Sequence, residues 1–405
     1  MQKENQNTSL VTKEFILKLF EAFSIQRWND FIRPLPLTEM DRAGEKLFVA
    51  FFLGKQEEKK GNPICWNTII DGSVYEMLRR IQLSDIKSPV QRLIREKFPD
   101  EAKRLNEWIF ENYKGMISDT AFMNGFYKYL FEHEEKKLLS YTVLRAAHKY
   151  ATLREFEILR MVNEKDRLGK VDEYLKKDML EFENLTGLND FLQKGTSYKL
   201  IIEIEKLRFQ ERWNQSPRVP KTSVLGHSFF VAVVTLLISK GLNFSAQRQC
   251  NNFFAALFHD LPEAVTRDII SPVKRATSYL AEALKQIEDT VMEQELFPLI
   301  DPFYEPDIRY FLESEFENKA LVDGSVKICS FEQLNTCYAQ AQYKPTDGKL
   351  VRVADHIAAF VEADRSIAYG ISSQHLQRGR DTILSIYKNA NPINNFDVSQ
   401  FFNSF

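Results

Sequence analysis

Apolar residues recur at three- and four-residue spacing along most of the chain, for example Phe15, Leu19, Phe20 and Phe23, then Leu105, Trp108, Ile109 and Tyr113. That period lines one face of a helix. From Glu164 to Leu207 charge becomes denser, with Glu173, Lys176 and Lys177 at helical spacing, and the run 164–177 reads as a solvated helix face. Alternating strand patterns closed by Gly or Asn-Gly are almost absent. Prolines at Pro34–Pro36, Pro89, Pro217–Pro220, Pro262, Pro272 and Pro302–Pro306 fall where helices begin or end. Asp323, in Val-Asp-Gly-Ser, reads as a turn residue. The expected fold class is all-α. The Asn-rich end, Asn389 to Phe405, is expected to be a loosely docked arm.

The pattern also repeats. Arg27-Trp28-Asn29 returns as Arg212-Trp213-Asn214, and Gly44-Glu-Lys-Leu-Phe-Val-Ala50 as Gly226-His-Ser-Phe-Phe-Val-Ala232. Asp85-Ile-Lys-Ser-Pro-Val-Gln-Arg92 returns as Asp268-Ile-Ile-Ser-Pro-Val-Lys-Arg275, identical at six of eight positions. These collinear matches have offsets of 185, 182 and 183 residues; a weaker one, Ala146-Ala147-His148 over Ala354-Asp355-His356, has an offset of 208. A divergent tandem duplication follows. The expected organisation is a first helical unit at 1–160, a charged helical connector at 161–204, a second unit at 205–388 and a tail at 389–405.

Composition narrows the class. With 405 residues, 44% of them hydrophobic and 27% charged, the chain has the balance of an ordinary soluble globular protein rather than a disordered or fibrous one. A formal net charge of −2 supplies no global basic field, so neither nucleic acid nor a membrane is an expected partner. The longest apolar run, near Phe229 to Ile238, falls short of the roughly 20 residues that span a bilayer. Cys65, Cys250, Cys329 and Cys337 are scattered, and the first residues do not read as a secretory signal, so a cytoplasmic location is expected.

The second unit holds the candidate chemistry: His227, then the pair His259-Asp260, then Asp355. Two imidazoles and two carboxylates gathered from separate helices suit one divalent transition metal such as Mn, Co, Fe, Ni or Zn, and the residues do not choose among these. Such an ion lowers the pKa of a bound water and polarises a phosphoryl group. Glu263 follows His259 by four residues, on the same helical face, and is not needed as a ligand; it is the candidate to orient or deprotonate that water. Arg212 offers a planar fork to phosphate oxygens and Lys274 a point charge. Trp213 offers a flat wall to a sugar or base, and Asp268 an acceptor for a sugar hydroxyl.

These residues resemble the signature of the HD-domain metal-dependent phosphohydrolases. Arg212-Trp213, Arg218, Ser223, His227-Ser228, His259-Asp260-Leu-Pro-Glu263, Thr266-Arg267-Asp268-Ile269, Ser271-Pro272-Val273-Lys274 and Ala354-Asp355 are similar to the YfbR-like 5′-deoxynucleotidase branch. The resemblance covers about 205–370 and implies tandem HD-type helical bundles, the first degenerate, with a small-molecule nucleotide as substrate. It also implies that Trp213 helps to prefer a 2′-deoxy sugar. Gly226 departs from the branch, which usually carries an acidic residue before the first ligand, as does Arg267 in place of a usual Gly. The expected activity is release of phosphate from (deoxy)nucleoside 5′-monophosphates by a metal-bound water. The alternatives are another phosphoester, such as a nucleoside triphosphate or cyclic dinucleotide, and a non-catalytic nucleotide-binding regulator.

Laying the repeats together sets Glu45 against His227, Glu76 and Met77 against His259 and Asp260, Arg80 against Glu263, and Ala147 against Asp355. No transition-metal set survives in the first unit. It is expected either to replace the second subunit of a homodimer, making a pseudo-dimer within one chain, or to retain a nucleotide without hydrolysing it.

Overall fold

The computed structural model describes residues 10–132, 138–267, 269, 273 and 277–405. Helices dominate. In the first part of the chain they are α1 (Lys13–Phe20), α2 (Glu39–Lys59), α3 (Trp66–Leu83), α4 (Ser88–Lys97), α5 (Pro99–Lys114), α6 (Thr120–Phe131) and α7 (Leu139–Arg160). Next come α8 (Lys165–Leu168), α9 (Val171–Leu180), α10 (Leu188–Leu192) and α11 (Thr196–Phe209). The remainder contains α12 (Val224–Gly241), α13 (Ala246–Phe258), α14 (Glu263–Thr266), α15 (Leu280–Val291), α16 (Glu305–Leu312), α17 (Phe331–Thr336), α18 (Gly348–Ala368), α19 (Gln374–Tyr387) and α20 (Val398–Phe402).

Two helices form the centre. α2 is buried from Glu39 through Gly54 and α12 from Val224 through Ser239. A helix without a polar face has to be enclosed on all sides. α12 accordingly packs against α2, α11, α13 and α18, while α2 packs against α3, α7 and α12. By length and composition α12 could cross a membrane, but here it is a core helix, 89% buried inside the protein. Matching caps start both. Thr38 Oγ1 accepts from Asp41 N at 3.2 Å, and Ser223 Oγ accepts from Gly226 N at 2.9 Å, each satisfying a first-turn amide that the helix leaves open.

The two caps also meet. Ser223 Oγ donates to Asp41 Oδ1, and Thr38 Oγ1 donates to Asp41 Oδ2 at 2.8 Å. Asp41 thereby occupies the space left by the missing side chain at Gly226, where a Cβ would lie 2.6 Å from Asp41 Oδ1 and 2.7 Å from Phe23 Cε1. Because Asp41 is tied at both oxygens, it has little room to yield. Gly226→Ala is expected to cost about 1–3 kcal/mol through overpacking. Chemical denaturation checks this, and an unchanged midpoint would mean that the α2–α12 crossing has slack.

One three-stranded antiparallel sheet departs from the helical expectation, formed by β1 (Asn318–Val322), β2 (Ser325–Ile328) and β3 (Thr346–Asp347) in the order β2-β1-β3. Asp323 and Gly324 link the first two strands with φ of 50° and 77°, the paired positive values of a tight two-residue hairpin. Strands this short carry too few positions to show alternation. The sheet nevertheless anchors a helix that matters. Asp347, at its edge, accepts from Arg248 Nε and Nη2, each at 2.7 Å, and from Asn252 Nδ2 at 2.9 Å. This clamp holds the start of α18, which carries Asp355 two turns further on.

Two other stretches pack more tightly than expected. In 161–204 the charges of α9 do face solvent, but Leu175, Met179, Phe182, Leu185, Leu188 and Phe191 are buried, and α11 runs unbroken across 204 and 205. At the end of the chain α20 buries Val398, Phe401 and Phe402, and the Phe402 ring stacks on Tyr387 with centroids 5.0 Å apart. Asn-rich composition concealed those three anchors, so the tail is docked rather than loose.

Candidate metal centre

His227 lies four residues after the Ser223 cap and is completely buried. Its Nδ1 is 3.1 Å from Glu362 Oε1, and its Nε2 is 3.1 Å from Asp355 Oδ1 on α18. His259 ends α13; its Nδ1 is 2.7 Å from the Ala256 carbonyl, and its Nε2 is 3.2 Å from Asp260 Oδ2. An acceptor at each Nδ1 fixes the proton there and leaves the Nε2 lone pair directed to the centre, the usual way of presenting imidazole to a metal. Asp260 Oδ2 stands 3.9 Å from His227 Nε2 and is buried without a well-aligned hydrogen-bond donor among the described residues.

Ligand atoms of His227, His259 and Asp355 all lie within 4.8 Å of one another. Donors around one ion at bond lengths of about 2.0–2.2 Å sit roughly 3–4 Å apart, so the set fits a divalent metal, and the unsatisfied Asp260 oxygen fits a fourth ligand. Burial alone would lower the His259 pKa, but Asp260 and then Asp355 outweigh it and push it up to about 9. Burial likewise disfavours the Asp355 anion, yet His227, His259 and Arg212 around it hold it well below the usual carboxylate range. The pocket is therefore built for positive charge between its carboxylates.

A residue that pattern reasoning passed over organises the surroundings. Glu362, fully buried, lies two turns after Asp355 on α18. Beyond His227, its carboxylate takes Trp213 Nε1 at 2.9 Å, Thr222 Oγ1 at 3.1 Å, Arg212 Nε at 3.3 Å and Arg218 Nη1 at 3.4 Å. The seven-residue spacing from Asp355 was the available signal, since it keeps both carboxylates on one helical face. Burial opposes the anion, but Arg212, His227 and Arg218 keep it ionised. Glu362→Gln keeps the shape and removes the charge, and is expected to cost about 2–3 kcal/mol of stability. Thermal unfolding of the metal-free protein checks this, and a shift within error would remove Glu362 from its organising place.

The remaining sequence candidates fall in different places. Arg212 reaches the centre, with Nη1 3.6 Å from Asp260 Oδ2, although its Nε is committed to Glu362. Trp213 has φ of 57° and is pinned between Glu362 and α19, where a Cβ on Gly379 would meet its ring at 2.3 Å. A cavity of about 290 Å³ beside this turn is lined by residues including Arg212, Trp213, Ser216, Arg218 and Lys221. Glu263 opens α14, its carbonyl accepts from Gln210 Nε2 at 2.8 Å, and its carboxylate is among those favouring the Arg212 cation. Asp268 and Lys274 lie outside the described residues.

The same frame occurs in the first part of the chain. Trp28 has φ of 59°, its Nε1 donates to Glu155 Oε2 at 2.8 Å, and Arg27 Nε reaches the same oxygen at 2.8 Å. Counting from the matching caps corrects two of the residue pairings. Arg42, not Glu45, is the fourth residue after Thr38, and His148, not Ala147, lies two turns before Glu155 as Asp355 lies before Glu362. Glu45 instead meets Arg208 in a buried ion pair. Similarity at Gly44-Glu45 had drawn the alignment three residues out of register.

The second part of the chain is similar in sequence to known proteins. Residues 204–384 match the family model described as "HD domain". A 5′-deoxynucleotidase of Yersinia pestis (strain Pestoides F) is 28% identical over 134 residues, covering 32% of this chain and 68% of that protein. The 5′-deoxynucleotidase of Yersinia pseudotuberculosis serotype O:1b (strain IP 31758) matches with the same identity and coverage. Residues 204–384 are thus similar to an HD domain, and the imidazole and carboxylate cluster lies within that matched stretch.

Proposed function

We propose that the second unit, 205–388, hydrolyses the phosphate monoester of nucleoside 5′-monophosphates, with deoxyribonucleotides preferred. The observation that carries this is the convergence of two Nε2 lone pairs with the Asp355 and Asp260 carboxylates, beside a guanidinium. The named activity of the Yersinia relatives supports the substrate class. His227, His259, Asp260 and Asp355 hold one divalent transition metal, which supplies a water of lowered pKa and polarises the phosphoryl group. Glu263 takes the proton of the attacking water, and the free edge of Arg212 neutralises charge growing on the phosphoryl oxygens. Lys274 adds a second cation, Asp268 supplies an acceptor for a sugar hydroxyl, and Trp213 gives a flat wall to the sugar or base. Hydrolysis of phosphate monoesters is among the slowest uncatalysed reactions, which is why charge on both sides of the phosphorus is required.

The first unit, 1–160, is a copy of the second that has lost the metal and takes the place of a partner subunit. Support comes from the paired Trp φ angles, the paired buried Glu residues and the crossing of α2 with α12. The test is phosphate release from deoxy- and ribonucleoside monophosphates across a metal series. Release should require added metal and favour the deoxy substrates; release undiminished by a chelator would remove the metal-dependent reading.

A further inference from the structure

The pocket of the first unit that corresponds to the metal centre is filled with cations. Arg42, in the place of His227, meets Glu76 at 3.2 Å and pairs closely with Glu39. Lys46 Nζ is 2.7 Å from Glu76 Oε2, and His148 Nδ1 is 2.6 Å from Glu76 Oε1. Glu39 also serves Arg27 at 3.0 Å, and Glu155 serves Arg27, Trp28 and Arg208. Glu39, Glu76 and Glu155 are thus already neutralised, and an added metal ion would meet Arg42 and Lys46.

Among the described residues one cation is left over. Arg80 lies one turn after Glu76 on α3, the position that answers to Glu263 in the second unit. Its side chain makes no hydrogen bond or ion pair among the described residues, although Glu39, Arg42, Arg27 and Glu76 all act on it electrostatically. Among the described residues the side chain of its neighbour Arg79 bonds the neutral amides of Gln91, at 3.0 Å, and Asn106, at 3.4 Å. Burial pushes Arg80 below its ordinary range, an effect that Arg42 and Arg27 reinforce. The pocket stays open to solvent: the side chains of Arg27, Glu76 and His148 retain partial exposure, as does Arg80.

We propose that this pocket binds a phosphate monoester without a metal, with the Arg80 guanidinium as the anion's partner. A guanidinium fork matches two phosphate oxygens, and a partly buried cation that no carboxylate contacts directly among the described residues gains from the anion's charge. The first unit would then be a binding module for the chemical class that the second unit cleaves, and its binding would persist even were the second unit inactive.

The experiment is calorimetric titration of the full chain, stripped of metal by chelation and dialysed, with inorganic phosphate and separately with deoxyadenosine 5′-monophosphate. Binding of either ligand is expected, weakened at least about tenfold by Arg80→Ala, less by Arg80→Lys and hardly by Arg212→Ala. Ligand-induced rise in melting temperature, measured on the same proteins, guards against loss of fold in Arg80→Ala. Absence of binding to the metal-free wild type, or binding that survives Arg80→Ala and disappears in Arg212→Ala, overturns the proposal. Failure of the catalytic reading would show separately, as an absence of metal-dependent phosphate release.

Discussion

Asp355→Ala should lower metal-dependent phosphate release by about 10³-fold or more and leave the protein with little bound metal. Asp355 is the carboxylate that closes the candidate set: it is brought by α18 to within 3.1 Å of His227 Nε2, with two further groups supplied by the end of α13. Without it, His227 and His259 keep their orientation, because their Nδ1 partners, Glu362 and the Ala256 carbonyl, are untouched. The loss therefore falls on metal affinity and on the charge stabilisation that the ion gives a phosphoryl group, worth several kcal/mol. Metal content by atomic emission and initial rates on a deoxynucleoside monophosphate are the two readouts. Full activity with reduced metal content would place the chemistry elsewhere.

Glu263→Gln is expected to have the second largest effect, a fall of about 10²–10⁴-fold in kcat with metal content unchanged. Gln keeps the size of the side chain and loses its ability to accept a proton. The local fold should persist, since Gln210 bonds the Glu263 backbone carbonyl and the Glu263 amide donates to the Asp260 carbonyl at 3.1 Å. KM should move little, because the proton is transferred only as the bond to phosphorus forms. A kcat within a few-fold of the wild type would transfer the base to another group.

Much of the candidate centre could be read from residue types in order. His227, His259-Asp260 and Asp355 are few and chemically distinctive, and the fold brings their ligand atoms together. Glu362 escaped because a lone Glu in a helix reads as a surface charge, and only its burial among Arg212, Trp213, Thr222 and Arg218 marks it as the holder of the site. The small sheet escaped for a different reason: strands of five and four residues are too short for a period, although the turn at Asp323 was visible. The tail's anchors, Val398, Phe401 and Phe402, were hidden by the polar residues around them.

The helical class is written in the residue order, since a period near 3.6 is imposed by helix geometry and survives in a single chain. So are the residue types of the candidate metal centre and the repeated sequence pattern. The register of that repeat is not, because identity letters at Gly44-Glu45 and Gly226-His227 compete with cap positions that become visible when Thr38 and Ser223 close their helices. Nor is the charge of the two pockets, which arises in three dimensions. Which Arg meets which Glu depends on helices distant in sequence, and that pairing leaves carboxylates beside imidazoles in one pocket and, in the other, an Arg80 side chain that no carboxylate contacts directly among the described residues.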